Sequence, residues 1–190
     1  MIPKHYRLAA AIVLGLLASP SLAQFTSNSE KFLNAVRERD GGTAMDLLRS
    51  GGPSMVNTRD DKGQTALMIA IARRDVEWSM FLLSQRPDVN ASARNGDTAL
   101  ILASRIGFTS VAAELLALKA KVDAANRMGE TALIAAVQQR HLPMVKLLLD
   151  AGADPDKTDN AAGYSARDYA KRDARSREIL KLLESRKPKA

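Results

Sequence analysis

The sequence predicts an all-α solenoid of about five helix–turn–helix repeats joined by β-turn or hairpin loops. Three observations carry that prediction. Gly63, Gly96 and Gly129 recur at a spacing of 33 residues, and Gly163 follows after 34. Two residues after each glycine stands Thr65, Thr98, Thr131 or Ser165, and seven after it Ala70, Ala103, Ala136 or Ala170. Paired leucines follow in each copy, at Leu82-Leu83, Leu115-Leu116, Leu148-Leu149 and Leu182-Leu183. Columns held in register over a fixed period of this length mark stacked repeats, each burying its apolar face only against its neighbours.

Before the repeats comes a different kind of segment. Lys4, His5 and Arg7 form a basic start, Leu8 to Leu17 an apolar run, and Pro20 with Ser21-Leu22-Ala23 a small-residue cleavage point before Gln24. This order predicts a secretory signal peptide at 1–23, cleaved after Ala23, and a periplasmic destination. The apolar run falls short of the roughly 20 residues a spanning helix needs. No later segment is apolar enough to span a membrane. The chain has no cysteine, which excludes thiolate catalysis and cysteine-ligated metals. Net charge is +7, and residues 171–190, with Lys171, Arg172, Arg175 and their neighbours, carry most of it. The basic character is therefore a property of the C-terminal end, and it gives no ground for nucleic-acid binding.

Residues 24–60 read as a degenerate N-terminal capping repeat. Phe32, Ala35 and Leu47-Leu48 take the apolar, alanine and leucine columns, and Asn28 stands where the turn glycine belongs. The longer spacing to Gly63 implies an insertion near Gly52–Ser54. Full repeats follow at 61–93, 94–126 and 127–159. In the last of these Gly129 permits a positive-φ turn, and Thr131 is placed to cap the helix that starts at Ala132. Arg140–Pro143 breaks the chain, with Pro143 suited to the first turn of a second helix. Gly152 then ends that helix. Residues 160–190 read as a C-terminal capping repeat with a basic tail, because Arg167 and Glu178 put polar groups into columns that are apolar elsewhere.

The blocks Gly129-Glu130-Thr131-Ala132-Leu133 and Leu147-Leu148-Leu149-Asp150-Ala151-Gly152-Ala153-Asp154 resemble the ankyrin repeat, as do Gly63–Leu67 and Gly96–Leu100. The resemblance covers about residues 25–186. It implies non-catalytic protein binding in a concave groove formed by hairpin tips and first helices. The family's Thr-Pro-Leu-His block is altered: Ala66, Ala99 and Ala132 replace the proline, and Met68, Ile101 and Ile134 the histidine. Loss of that histidine's hydrogen bonds implies less cooperative unfolding than in consensus repeats.

No residue pattern supports catalysis, a cofactor or a metal site. His141, the one histidine after the leader, falls between two helices as a structural residue. Asp60 and Asp61, flanked by Arg59 and Lys62, read as a charge-balanced, solvated loop. Trp78 shares a column with Val111 and Met144, which favours core packing. Met128 and Tyr164 lie beside turn glycines, where large apolar side chains point to contact. Lys62, Arg94 and Arg127 map to the tips, and Arg73, Arg105, Gln138 and Arg172 to the ends of first helices. Together they form a basic ladder with two readings: a solvated face that keeps the solenoid soluble, or a groove for an acidic protein partner. The expected molecule is a monomeric interaction scaffold in the bacterial periplasm. Two other readings stand beside it: an accessory or protective regulator of a periplasmic enzyme, and an envelope-associated structural protein whose tail makes weak contact with an anionic surface.

Overall fold

Every full repeat begins with a hairpin finger, and the finger is tied to the helix it precedes by one side chain. The hydroxyls of Thr65, Thr98 and Thr131 accept from the backbone N–H three residues on, at Met68, Ile101 and Ile134. The same residues close the finger stems through antiparallel bridges, Arg59 to Thr65, Ser92 to Thr98 and Ala125 to Thr131. Ser165 repeats both contacts and adds a reciprocal one, since the Asp168 carboxylate accepts from the Ser165 N–H at 3.0 Å. A hydroxyl at this position satisfies a helix-end donor that has no partner inside the helix.

The computed structural model describes residues 20–186, with side chains from Asn28 onward. Ten α-helices follow in order: α1 Pro20–Glu38, α2 Gly41–Gly51, α3 Ala66–Ala72, α4 Val76–Ser84, α5 Ala99–Ile106, α6 Thr109–Ala117, α7 Ala132–Gln138, α8 Leu142–Asp150, α9 Ala166–Arg172 and α10 Arg177–Glu184. The inner helices α1, α3, α5, α7 and α9 pack one on the next, and α4, α6, α8 and α10 form the outer layer. The core lies between the layers. Ala35, Ala70, Ala103, Ala136 and Ala170 are buried where the two helices of a repeat approach, and Leu82, Leu115 and Leu148 are buried in the outer layer. Among the described residues no helix is long and apolar enough to cross a membrane.

Each of the helices α1 to α8 is followed by a residue at positive φ, and glycine fills three of these eight positions. Between inner and outer helices the position is held by Arg39, Arg74, Gly107 and Arg140, all at positive φ. After the outer helices it is held by Gly52, Arg86, Lys119 and Gly152. A left-handed backbone costs a residue with a Cβ roughly 1–2 kcal/mol. The side chains of the first set contribute in return: Arg39 meets Asp75 at 2.8 Å, and Arg140 meets Asp173 at 3.0 Å, each in the following repeat. Gly107 has a packing role as well. The His141 ring stands 2.9 Å from where its Cβ would be, so His141 fills that space.

Two expectations change at the ends. Asn28 does not begin a turn; it lies inside α1, which is continuous from Pro20 to Glu38, so the first copy has no finger. Without glycine or a preceding turn-forming Asp or Asn, the stretch Ser27-Asn28-Ser29-Glu30 extends the helix instead. The predicted cleavage point after Ala23 falls within α1, and the apolar run of the leader lies outside the described residues. At the other end Arg167 does more than mark a missing neighbour. Its guanidinium donates to the carbonyls of Leu183 and Arg186 at the end of α10 and pairs with Asp156 at 2.6 Å. Glu178 faces solvent.

Candidate protein-binding face

The fingers stand side by side and are joined backbone to backbone. The Arg94 N–H donates to the Lys62 carbonyl at 2.9 Å, Arg127 to Asn95 at 3.0 Å and Asn160 to Met128 at 2.8 Å. This close approach explains the glycine column. A side chain at Gly129 would stand 2.5 Å from the Asn160 nitrogen, and its φ is +77°. The fingers at Gly63, Gly96 and Gly129 therefore need glycine because the next finger occupies the place of a Cβ.

A carboxylate or amide organises three of the four tips from inside. Asp60 accepts from the N–H groups of Lys62 and Gln64, both at 2.9 Å, Asn126 from Met128 and Glu130, and Asp159 from Ala162 and Gly163. Asp60 also meets Arg37 at 3.1 Å with its side chain only 8% exposed. The reading of Asp60 and Asp61 as a solvated pair is thus corrected. Asp61 is exposed, while Asp60 belongs to a 33-residue column with Asn126 and Asp159 that Ala93 interrupts.

The register of the expected basic ladder also changes. Arg94 and Arg127 stand two residues before their glycines, but Lys62 stands one before Gly63, in line with Asn95 and Met128. Arg73 likewise lies one residue beyond the column of Arg105, Gln138 and Arg172, a position that α3 fills with Ala72. Lys62, Arg73, Arg94 and Arg127 are exposed, and none of their side chains forms an ion pair among the described residues. Met128 is 58% exposed, the highest value among the large apolar side chains described.

Arg105 is not a free cation. It grips Asp97 with both arms, at 3.0 and 3.1 Å, and reaches Glu130 at 2.6 Å. Asn126 completes the group by donating to Asp97 at 2.8 Å and Glu130 at 3.0 Å. Burial alone would raise the Asp97 pKa, but hydrogen bonds from Arg105, Asn126 and Asn95 outweigh it and hold the carboxyl below its ordinary value. The Asp97 bond in turn keeps Arg105 firmly protonated against the opposing effect of burial. Since Asp97 belongs to one finger and Glu130 to the next, this cluster clamps two fingers to α5.

The remaining expected residues gather around Tyr169 and Tyr164. Tyr164 is half-buried: its ring meets Tyr169 edge-on at 5.6 Å, and the Arg172 guanidinium lies 4.4 Å above it. Tyr169 donates to Asp159, and Gln138 also reaches its hydroxyl. The Asp159 bond is the main reason the Tyr169 pKa is raised, with burial adding to it. The sequence therefore scattered nine candidates that the structure sorts into two groups. Lys62, Arg73, Arg94, Arg127 and Met128 are open to a partner, while Arg105, Gln138, Tyr164 and Arg172 are engaged within the molecule.

One further column escaped sequence reading. Asn57, Asn90 and Asp123 are 33 apart, and each accepts the backbone N–H of a residue in the next repeat, Asp88, Lys121 and Asp154, all at 2.8 Å. These contacts tie the loop ends of the stack as the fingers tie its other edge. Some of the described cations near the C-terminus are also committed: Arg167 and Arg172 as above, Arg175 to Asp173, and Arg186 to Asp150. Trp78 is buried and meets Phe81 edge-on at 5.4 Å, in agreement with a core role.

The family model for ankyrin repeats, in three copies, matches residues 32–126 and 80–159. No curated protein matches the chain. Domains of this type are typically non-catalytic modules for protein–protein interaction. With the finger–helix–helix unit, its 33-residue period and a family match over most of the described residues, the chain belongs to the ankyrin-repeat family.

Proposed function

We propose that this chain is a non-catalytic scaffold of the bacterial periplasm that holds an acidic protein segment against its finger tips and inner helices. The observation that carries the reading is the set of unpaired cations, Lys62, Arg94 and Arg127, on a row of fingers locked by backbone hydrogen bonds, with Met128 exposed among them. Cations that form no ion pair speed the encounter with an acidic surface and select against basic ones. An exposed methionine supplies an adaptable apolar anchor. Because the fingers are already ordered by their neighbours, little conformational entropy is lost on binding. The sequence of the leader supports export.

The test is in-cell photo-crosslinking from Asn95, a tip residue between the two arginines. A crosslinked protein band is expected with the native chain. Replacing Arg94 and Arg127 together by alanine is expected to reduce the band several-fold while leaving thermal stability unchanged, since neither side chain has an internal partner. Undiminished capture by the double variant would refute the role of these cations. Arg105 is left intact in this design because its removal would unclamp the fingers.

A further inference from the structure

We infer that Met128 is an oxidation site that switches the recognition face without disturbing the fold; its regulatory consequence rests on the binding function proposed above. The chain has seven methionines, and their environments differ sharply. Met55, Met68 and Met144 are fully enclosed, at 1%, 1% and 0% exposure. Met80 is 38% exposed on the outer helix α4, and Met128 is 58% exposed at a finger tip. Oxidation of a thioether follows access to its sulfur.

The surroundings of Met128 separate side chain from backbone. Its N–H donates to Asn126 Oδ1 at 2.9 Å, and its carbonyl accepts from Asn160 at 2.8 Å. The backbone is thus fixed from both sides while the residue is largely exposed. A hydroperoxide such as hydrogen peroxide transfers one oxygen to the sulfur. The O–O bond breaks, an S=O bond forms, the sulfur gives up two electrons and the second oxygen leaves as water. The product is a polar, chiral sulfoxide where an apolar anchor stood. The core is expected to stay unchanged, because Met128 is not among the residues that build it or pack against it. Coupling between sites is reciprocal: an occupant that covers Met128 slows its oxidation, and oxidation weakens the occupant.

Titration of the purified chain with hydrogen peroxide, followed by peptide mapping, tests the first part. Sulfoxide is expected at Met128 first, at Met80 later, and at Met55, Met68 and Met144 only after unfolding. Helical circular dichroism and the melting temperature are expected to stay unchanged when Met128 alone is oxidised, and methionine sulfoxide reductase is expected to restore the thioether. Oxidation of Met144 as fast as Met128, or a fold that melts with the first sulfoxide, would overturn the proposal. The second part uses the Asn95 crosslink in peroxide-treated cells. The band is expected to fall several-fold with the native chain and with Met80→Leu, and to persist with Met128→Leu. An equal fall in Met128→Leu cells would remove the switch. Absence of the band in untreated cells would instead strike at the proposed binding function, leaving the peptide map to decide the oxidation site.

Discussion

Ser104 lies in α5 where α3 and α7 carry Ile71 and Val137, all three buried, and its hydroxyl has no hydrogen-bond partner. A buried hydroxyl left unpaired costs about 1–3 kcal/mol of desolvation. Ser104→Ala removes the hydroxyl and almost no volume, so it is expected to stabilise the chain by about 1 kcal/mol in urea titration. A loss of stability would mean that the hydroxyl has a bonded partner after all. Residue identity at such points is legible as a break in a column, yet its meaning is not. The same holds for Arg105, whose charge looks free in sequence because Asp97 lies eight residues away and Glu130 twenty-five. Only the stacking of two fingers brings both carboxylates to one guanidinium. Asp60 was misread for a related reason: its partner Arg37 comes from a copy whose register the sequence marks weakly.

Fingers are the elements that make the stack continuous. Gly129 and Gly163 share a positive φ, +77° and +69°, but only Gly129 is backed by a following finger. The two costs can therefore be separated. Gly163→Ala is expected to cost about 1 kcal/mol, the strain of a left-handed backbone alone. Gly129→Ala adds a collision with backbone atoms that cannot move without parting two fingers, and is expected to cost at least about 3 kcal/mol. Equal destabilisation of the two variants in thermal melts would contradict this account. The fingers, caps and helix pairs of residues 61–159 were readable from the period, since each element depends on local residues that recur. In the first copy the columns of Phe32 and Ala35 were readable but the missing finger was not, because that copy drops its finger and still buries Phe32, Leu33 and Val36.

At the scale of the whole molecule, stability is shared among nearest-neighbour interfaces, because each repeat touches only those beside it. The column where the family's histidine would stand holds Met68, Ile101 and Ile134, all buried, so its side chains contribute packing and no hydrogen bonds to the turn. Coupling between repeats rests instead on the finger ladder and on the Asn57, Asn90 and Asp123 contacts. Unfolding is expected to begin at the ends, with a calorimetric enthalpy larger than the van't Hoff value. Equality of the two would show that these ties make the stack a single cooperative unit. The period and the helix–turn–helix pattern were legible because a solenoid is one-dimensional. The recognition face was legible only in part, since exposure and pairing of a cation depend on what the neighbouring repeat supplies.

Gly163 keeps the backbone of an interior finger although, among the described residues, no further finger packs against it. The last described repeat thus keeps the turn of an interior unit, and its departures lie in side chains such as Arg167 and Glu178. The turn itself still offers a docking edge for one more unit. For protein engineering, elongation of this scaffold is a matter of restoring apolar side chains at those positions, while the hinge that would carry the added module is already built.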